Sequence, residues 1–149
     1  MKLLTITIPC YNSQEYMEHA INSALIGGDD IEIIIVDDGS SDNTLQIAKQ
    51  YEEKYPSIVR AIHKENGGHG SAVNTGIDNA EGVYFKVLDS DDWRDAYSLQ
   101  RVLQLLREMI TDGIGLDMVI SNYVYEKPSV HKHKVMSYNI AIPKDKVIS

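Results

Sequence analysis

Residues 85–93 read FKVLDSDDW, an apolar run followed by three carboxylates, Asp89, Asp91 and Asp92, within four positions. Like charges this close disfavour one another's ionisation unless a cation stands among them. At the end of an extended segment alternate side chains point the same way, so Asp89 and Asp91 can share a face while Asp92 falls on the other and caps the helix that follows. A second acidic pair, Asp37-Asp38, closes the run IEIIIVDD. Either group alone reads equally well as turn and cap residues. Two of them at neighbouring strand ends suggest a divalent cation, since Mg²⁺ takes oxygen ligands, commonly one or two carboxylates together with substrate phosphates.

Between the two acidic groups lies Glu65-Asn66-Gly67-Gly68-His69-Gly70. It is not a dinucleotide-binding fingerprint. Val73 stands where the third glycine belongs, the loop does not follow the first strand, and no acid sits at the expected distance on a following strand. The glycines can still let backbone approach a ligand at the start of a helix near Ser71, or form a plain turn. Cys10 is either a nucleophile or a small buried filler. His69 is a phosphate contact, an acid, or an exposed loop residue. Tyr11 is a stacking platform or a core edge residue, and Trp93 anchors the loop that follows the acids.

The elements that position these residues alternate. Strand-like runs are LLTITIP, IEIIIVDD, VRAIHK, VYFKVLD and DMVISNYVYE, and the first four have the composition of strands buried on both faces. Met17, Ala20, Ile21, Ala24 and Leu25 recur at helical spacing, with Asn12 or Ser13 as cap and Gly27-Gly28 as stop. A second helix starts near Ser41 or Asp42 and carries Leu45, Ala48, Tyr51 and Tyr55. A third contains Ala72, Val73, Gly76, Ile77 and Ala80 and ends at Gly82. The fourth presents Leu99, Val102, Leu103, Leu106 and Ile110. The expectation is an α/β fold, a mostly parallel sheet flanked by helices on both faces. After Pro128 the residues turn polar and alternating, as in an antiparallel strand that returns to the sheet. In open sheets of this class ligands bind beyond the carboxyl ends of the strands, where both acidic groups and the glycine loop converge.

The 149 residues, 43% hydrophobic and 24% charged, suit one globular domain over 1–149. No apolar run approaches the ~20 residues that cross a bilayer. MKLLTITIPCYN lacks a small-residue cleavage site and reads as a first strand rather than a leader. The single cysteine cannot form an internal disulfide, and a net charge of −8 argues against a nucleic-acid partner. The one basic cluster, His131-Lys132-His133-Lys134, can touch an anionic surface, though a solvated strand or loop is the simpler reading.

Four segments, TITIPCYN, IEIIIVDDGSSDNT, ENGGHGSAVNTGI and GVYFKVLDSDDW, follow one another in an order and spacing that resembles the nucleotide-sugar half of family 2 glycosyltransferases, across roughly residues 3–125. The resemblance implies the Rossmann-like GT-A fold, a nucleoside-diphosphate-sugar donor that is commonly UDP-linked, and Mg²⁺ or Mn²⁺ bridging its phosphates. Carried over by position, it implies Pro9 and Tyr11 at the nucleobase, Asn12 among the nucleotide-sugar-binding residues, and Asp38 accepting a hydrogen bond from the base's ring N–H. The Asn66–Gly70 loop, with Gly68 and His69, would border base and ribose. Asp89 would lie near ribose or phosphate, with Ser90 beside it, and Asp91, together with Asp89, would hold the metal.

The reaction implied is a single inverting displacement by an acceptor hydroxyl, with a cation compensating the charge that grows on the departing diphosphate. The acceptor would be a glycan or a lipid-linked molecule, in polysaccharide or glycoconjugate assembly at the cytoplasmic face of a membrane, with peripheral association. The family's general base lies on an acceptor-side segment beyond the Asp-X-Asp strand, and the late acids Asp117, Glu126 and Asp145 match no such motif; Asp117 fits the start of a fifth strand. The expectation is therefore a truncated chain that binds donor but lacks the acceptor-side segment and the base, as part of a transferase or as an inactive donor-binding fragment. A dehalogenase-type phosphohydrolase would want Thr or Val where Trp93 stands. A receiver-type signalling domain would place its acidic pair after the first strand, where Cys10-Tyr11-Asn12 stand.

Overall fold

The computed structural model describes residues 1–127 and 132–138. The chain divides into two compact units, Met1–Thr111 and Asp112–Ser149. In the first, β1 (Leu4–Cys10), α1 (Met17–Leu25), β2 (Ile31–Asp37), α2 (Thr44–Lys54), β3 (Val59–His63), α3 (His69–Asp78), β4 (Tyr84–Val87) and α4 (Ala96–Thr111) alternate, with a short 3₁₀ turn at Gly28–Asp30 before β2. All pairings are parallel, in the order β3-β2-β1-β4.

Register explains the core. Ile6 aligns with Ile33 and Ile8 with Ile35, and all four are essentially fully buried. Each such side chain stabilises the fold by about 2 kcal/mol through burial. The opposite face carries Thr5, Thr7, Glu32, Ile34 and Val36, and α3 covers it, with Ala72 packed on Ile34 and Val36. Gly76 is what allows α3 this close. A Cβ there would fall 2.3 Å from both Cγ2 and Oγ1 of Thr7. Glu32, a charge inside the sheet, is satisfied by Thr5 Oγ1 at 2.7 Å, Arg60 at 3.1 Å and the Glu81 N–H at 2.9 Å.

Several expectations change. β1 and β2 are buried on both faces, but β3 and β4 are the sheet's edges and are half-exposed. Neither Asn12 nor Ser13 caps α1. The helix begins at Met17 after a turn in which the Ser13 carbonyl accepts the Tyr16 and Met17 N–H groups. α2 begins at Thr44, and α3 runs from His69 to Asp78 rather than from Ser71 to Gly82. Asp92 does not cap α4. Asp95 does, accepting Ser98 N–H at 2.8 Å, because the 89–92 turn uses the intervening residues.

In the second unit, β5 (Tyr123–Lys127) pairs antiparallel with β6 (Lys132–Met136) as a separate two-stranded sheet. The fifth strand thus starts at Tyr123, not Asp117, and the returning strand pairs with β5 rather than with the parallel sheet. Three tyrosines support the start of this hairpin, with Tyr123 edge-on to Tyr125 and tilted against Tyr138. Pro128, His131 and Asp145 lie outside the described residues.

Candidate functional site

A cleft of about 480 Å³ opens at the carboxyl ends of β1, β2 and β4 and at the amino end of α3. Volumes of roughly 300–1,000 Å³ suit small-molecule ligands. Its lining gathers Pro9, Tyr11, Asp38, Gly68, His69, Asp89, Ser90 and Asp91 from four separate chain segments, together with Cys10, Tyr16, Asn66 and Ala72. Asn12 is not among them. Its backbone sits at φ 49°, its side-chain oxygen accepts the Ser41 N–H at 2.9 Å, and its own N–H reaches Ser40 Oγ. Asn12 ties the loop after β1 to the loop after β2.

Asp38 continues the side of β2 that carries Glu32, Ile34 and Val36, the side that α3 covers. Its carboxylate accepts Gly67 N–H at 3.0 Å, Gly68 N–H at 2.8 Å and Lys64 Nζ at 2.6 Å. A negative group at the start of α3 is favoured by the free N–H groups there. Burial pushes this carboxyl up, but Lys64 and the two amides outweigh that and hold it below the usual carboxylate range. Four lone-pair positions and three donors leave one position unused. Asp37 turns to the other side of the strand and meets His63 Nδ1 at 2.7 Å.

Gly39 sits at φ +73°, and a Cβ there would fall 2.8 Å from the Asn66 nitrogen. The loop after β2 and the loop before α3 therefore touch, which fixes one wall of the cleft. At the other wall Ser90 Oγ lies 3.0 Å from Ser13 Oγ, and His69 Nε2 lies 2.9 Å from Asp89 Oδ1. Trp93 anchors the loop by stacking on His19 of α1 at 4.9 Å, and Arg94 N–H donates to Ser23 Oγ. Asp92, pushed up by burial and by Asp91 and Asp89, is not part of the lining.

Cys10 is buried, and its thiol is pushed up to about 12 by burial and by Asp37. It stays protonated and serves as filler, not nucleophile. Sequence reasoning missed Tyr16 and Lys64. Tyr16 is the last residue before α1, where a side chain reads as a cap. No sequence signal marks Lys64, which comes beside Asp38 only because β3 pairs with β2 so that His63 stands opposite Asp37.

Among the described residues no three His, Cys, Asp or Glu side chains converge as a metal site. Asp89 and Asp91 offer two carboxylates at the cleft. That donor set does not make a resident cage; it fits a hard cation that takes its remaining ligands from a phosphorylated molecule and water.

The family model described as glycosyl transferase family 2 matches residues 5–145. An uncharacterized glycosyltransferase of Rickettsia felis is 43% identical over 110 residues, 72% of this chain and 18% of its own length. One from Mycoplasma pneumoniae is 39% identical over 132 residues, 85% of this chain and 41% of its own. The chain thus spans less than half the length of these relatives. Staphylococcus aureus TarS 1-349, solved in complex with UDP-GlcNAc, superposes with a TM-score of 0.64 at 30% identity, over 74% of this chain and 32% of that one. A mannosyltransferase from Pyrobaculum calidifontis, solved with GDP-Man and Mn²⁺, shares the fold with a TM-score of 0.59 at 24% identity, over 68% of this chain and 32% of that one.

Proposed function

The chain belongs to glycosyl transferase family 2, and from that premise we propose that its Met1–Thr111 unit binds a UDP-sugar whose sugar is passed, with inversion, to a glycan or glycoconjugate acceptor. The observation that carries this reading is the meeting of Asp38 with Asp89 and Asp91 in one cleft of nucleotide size.

Each residue then has a task. An ionised carboxylate only accepts hydrogen bonds. Asp38, kept ionised and with one lone-pair position left, selects a base with a ring N–H on its pairing edge. Uracil and guanine have one; cytosine and adenine present a bare nitrogen there. The half-exposed Tyr11 gives the base an aromatic face, a contact worth about 1–3 kcal/mol per base. Gly68 lets the backbone approach the ribose side. Asp89 and Asp91 hold the Mg²⁺ or Mn²⁺ ion, and His69 orients Asp89 from outside. A divalent cation, when bound, supplies positive charge to the diphosphate as it departs. No helix among the described residues is long and apolar enough to cross a membrane. Assembly at the cytoplasmic face of a membrane, with peripheral contact, is part of the same proposal.

The test is base selectivity. Calorimetric titration with UDP, GDP, CDP and ADP, each with Mn²⁺, should rank UDP first and CDP and ADP last. Equal affinity for CDP and UDP would overturn the role given to Asp38.

A further inference from the structure

We propose that Lys64 is a positioning residue for donor binding: it pins the Asp38 carboxylate and the Asn66–Gly68 backbone in the shape that receives the nucleobase. The inference rests on the donor-binding reading above and concerns a residue outside the four motifs' acidic and glycine positions.

The placement follows from register. His63 aligns with Asp37, so the next pair outward is Lys64 with Asp38, and the Lys64 N–H extends the ladder by donating to the Asp37 carbonyl at 3.0 Å. From there Lys64 Nζ reaches Asp38 Oδ1 at 2.6 Å and also donates to the Glu65 carbonyl. Gly67 N–H shares Oδ1, and Gly68 N–H takes Oδ2. One carboxylate thereby closes residues 64–68 into a ring. Gly67 packs closely between its neighbours: a Cβ there would fall 2.7 Å from Ser71 Oγ and 2.9 Å from Lys64 Nζ.

The chemistry requires a full charge at this point. The Asp38 side chain is 4% exposed, and two amides compensate a buried carboxylate only partly. The ammonium supplies a charge-assisted bond, shorter and stronger than a neutral one. Without it the carboxylate turns toward water or takes a proton, and the Gly67 and Gly68 amides lose their acceptor. Lys64 does not line the cleft, so it acts through Asp38 rather than on the nucleotide.

The experiment measures UDP affinity with Mn²⁺, thermal unfolding, and amide exchange at Gly67 and Gly68 in wild type, Lys64→Met and Lys64→Arg. Lys64→Gln is made alongside, as a second neutral variant should the Met protein fold poorly. Lys64→Met should bind UDP about tenfold more weakly, with faster exchange at both glycines, and Lys64→Arg should restore both. Unchanged affinity in the neutral variants, weakened affinity with unchanged glycine exchange, or failure of Arg to rescue would each overturn the proposal. A wild type that does not bind UDP would instead defeat the donor-binding reading itself.

Discussion

Nε2 of His69 lies 2.9 Å from Oδ1 of Asp89, joining the first residue of α3 to the loop after β4 across 20 residues of sequence. Both side chains are more than half exposed, so the pair contributes little to stability. Its effect belongs to the site. His69→Ala should leave the unfolding midpoint nearly unchanged and weaken Mn²⁺-supported UDP binding by about tenfold, the usual scale for a group that orients a metal ligand. Binding in chelator should not move. A loss of equal size with and without metal would contradict this role.

Tyr11 and Tyr16 should separate the two ends of the donor. Tyr16 lines the cleft together with Tyr11 and Ser90, and the sugar end of the donor is the task we propose for it. Tyr11→Ala should weaken UDP and UDP-sugar alike, by about tenfold, the loss of one base-stacking contact. Tyr16→Ala should spare UDP and weaken only the UDP-sugar. If Tyr16→Ala weakens UDP as much as UDP-sugar, Tyr16 is not a sugar-side residue.

Acid should destabilise the fold through Asp38 and Asp42. Burial raises both carboxyls, but Lys64 with the Gly67 and Gly68 amides at Asp38, and Thr44 with the Gln14 amide at Asp42, bring them below the usual range. A depressed carboxyl contributes fully above the unfolded value, about 3.9, and loses that contribution as pH falls through the folded value. Asp92, raised by burial, Asp91 and Asp89, works the other way. Urea midpoints should hold steady down to about pH 5 and then fall. Asp38→Asn should fall less steeply, and an identical acid slope would remove Asp38 from the account.

Gly76 and Thr7 test the packing that carries α3. With Thr7 2.3 Å from any Cβ at position 76, Gly76→Ala should cost about 1–3 kcal/mol in denaturant unfolding. Thr7 Oγ1 is buried and has no hydrogen-bond partner among the described residues. Thr7→Val should therefore stabilise by about 1 kcal/mol, and a clear loss would mean that the hydroxyl is satisfied after all.

The four parallel strands, four helices and both acidic clusters were legible because each rests on local signals: β-branched runs, helical spacing, and acids at strand ends. The rest depends on partners distant in sequence. Asn12 and Ser13 look like caps, yet they are engaged by Ser40 and Ser41 of the neighbouring loop and by Thr44, the first residue of α2. Met118, Val119 and Ile120 have strand composition but form no strand, which begins only where Tyr123 finds Met136 across the hairpin. Nothing in VRAIHK marks β3 as an edge. Lys64 gains its role only once β3 is in register with β2.

We propose that Asp91 and Asp89 hold a cation only together with a diphosphate gripped in the same cleft. This is tested most directly by titrating UDP into wild type and Asp91→Asn, each with Mn²⁺ and with chelator. Wild type should bind at least about tenfold more tightly with Mn²⁺, and Asp91→Asn should lose that increment while keeping the metal-independent affinity. Equal wild-type affinity in both conditions, or a full increment in Asp91→Asn, would contradict it.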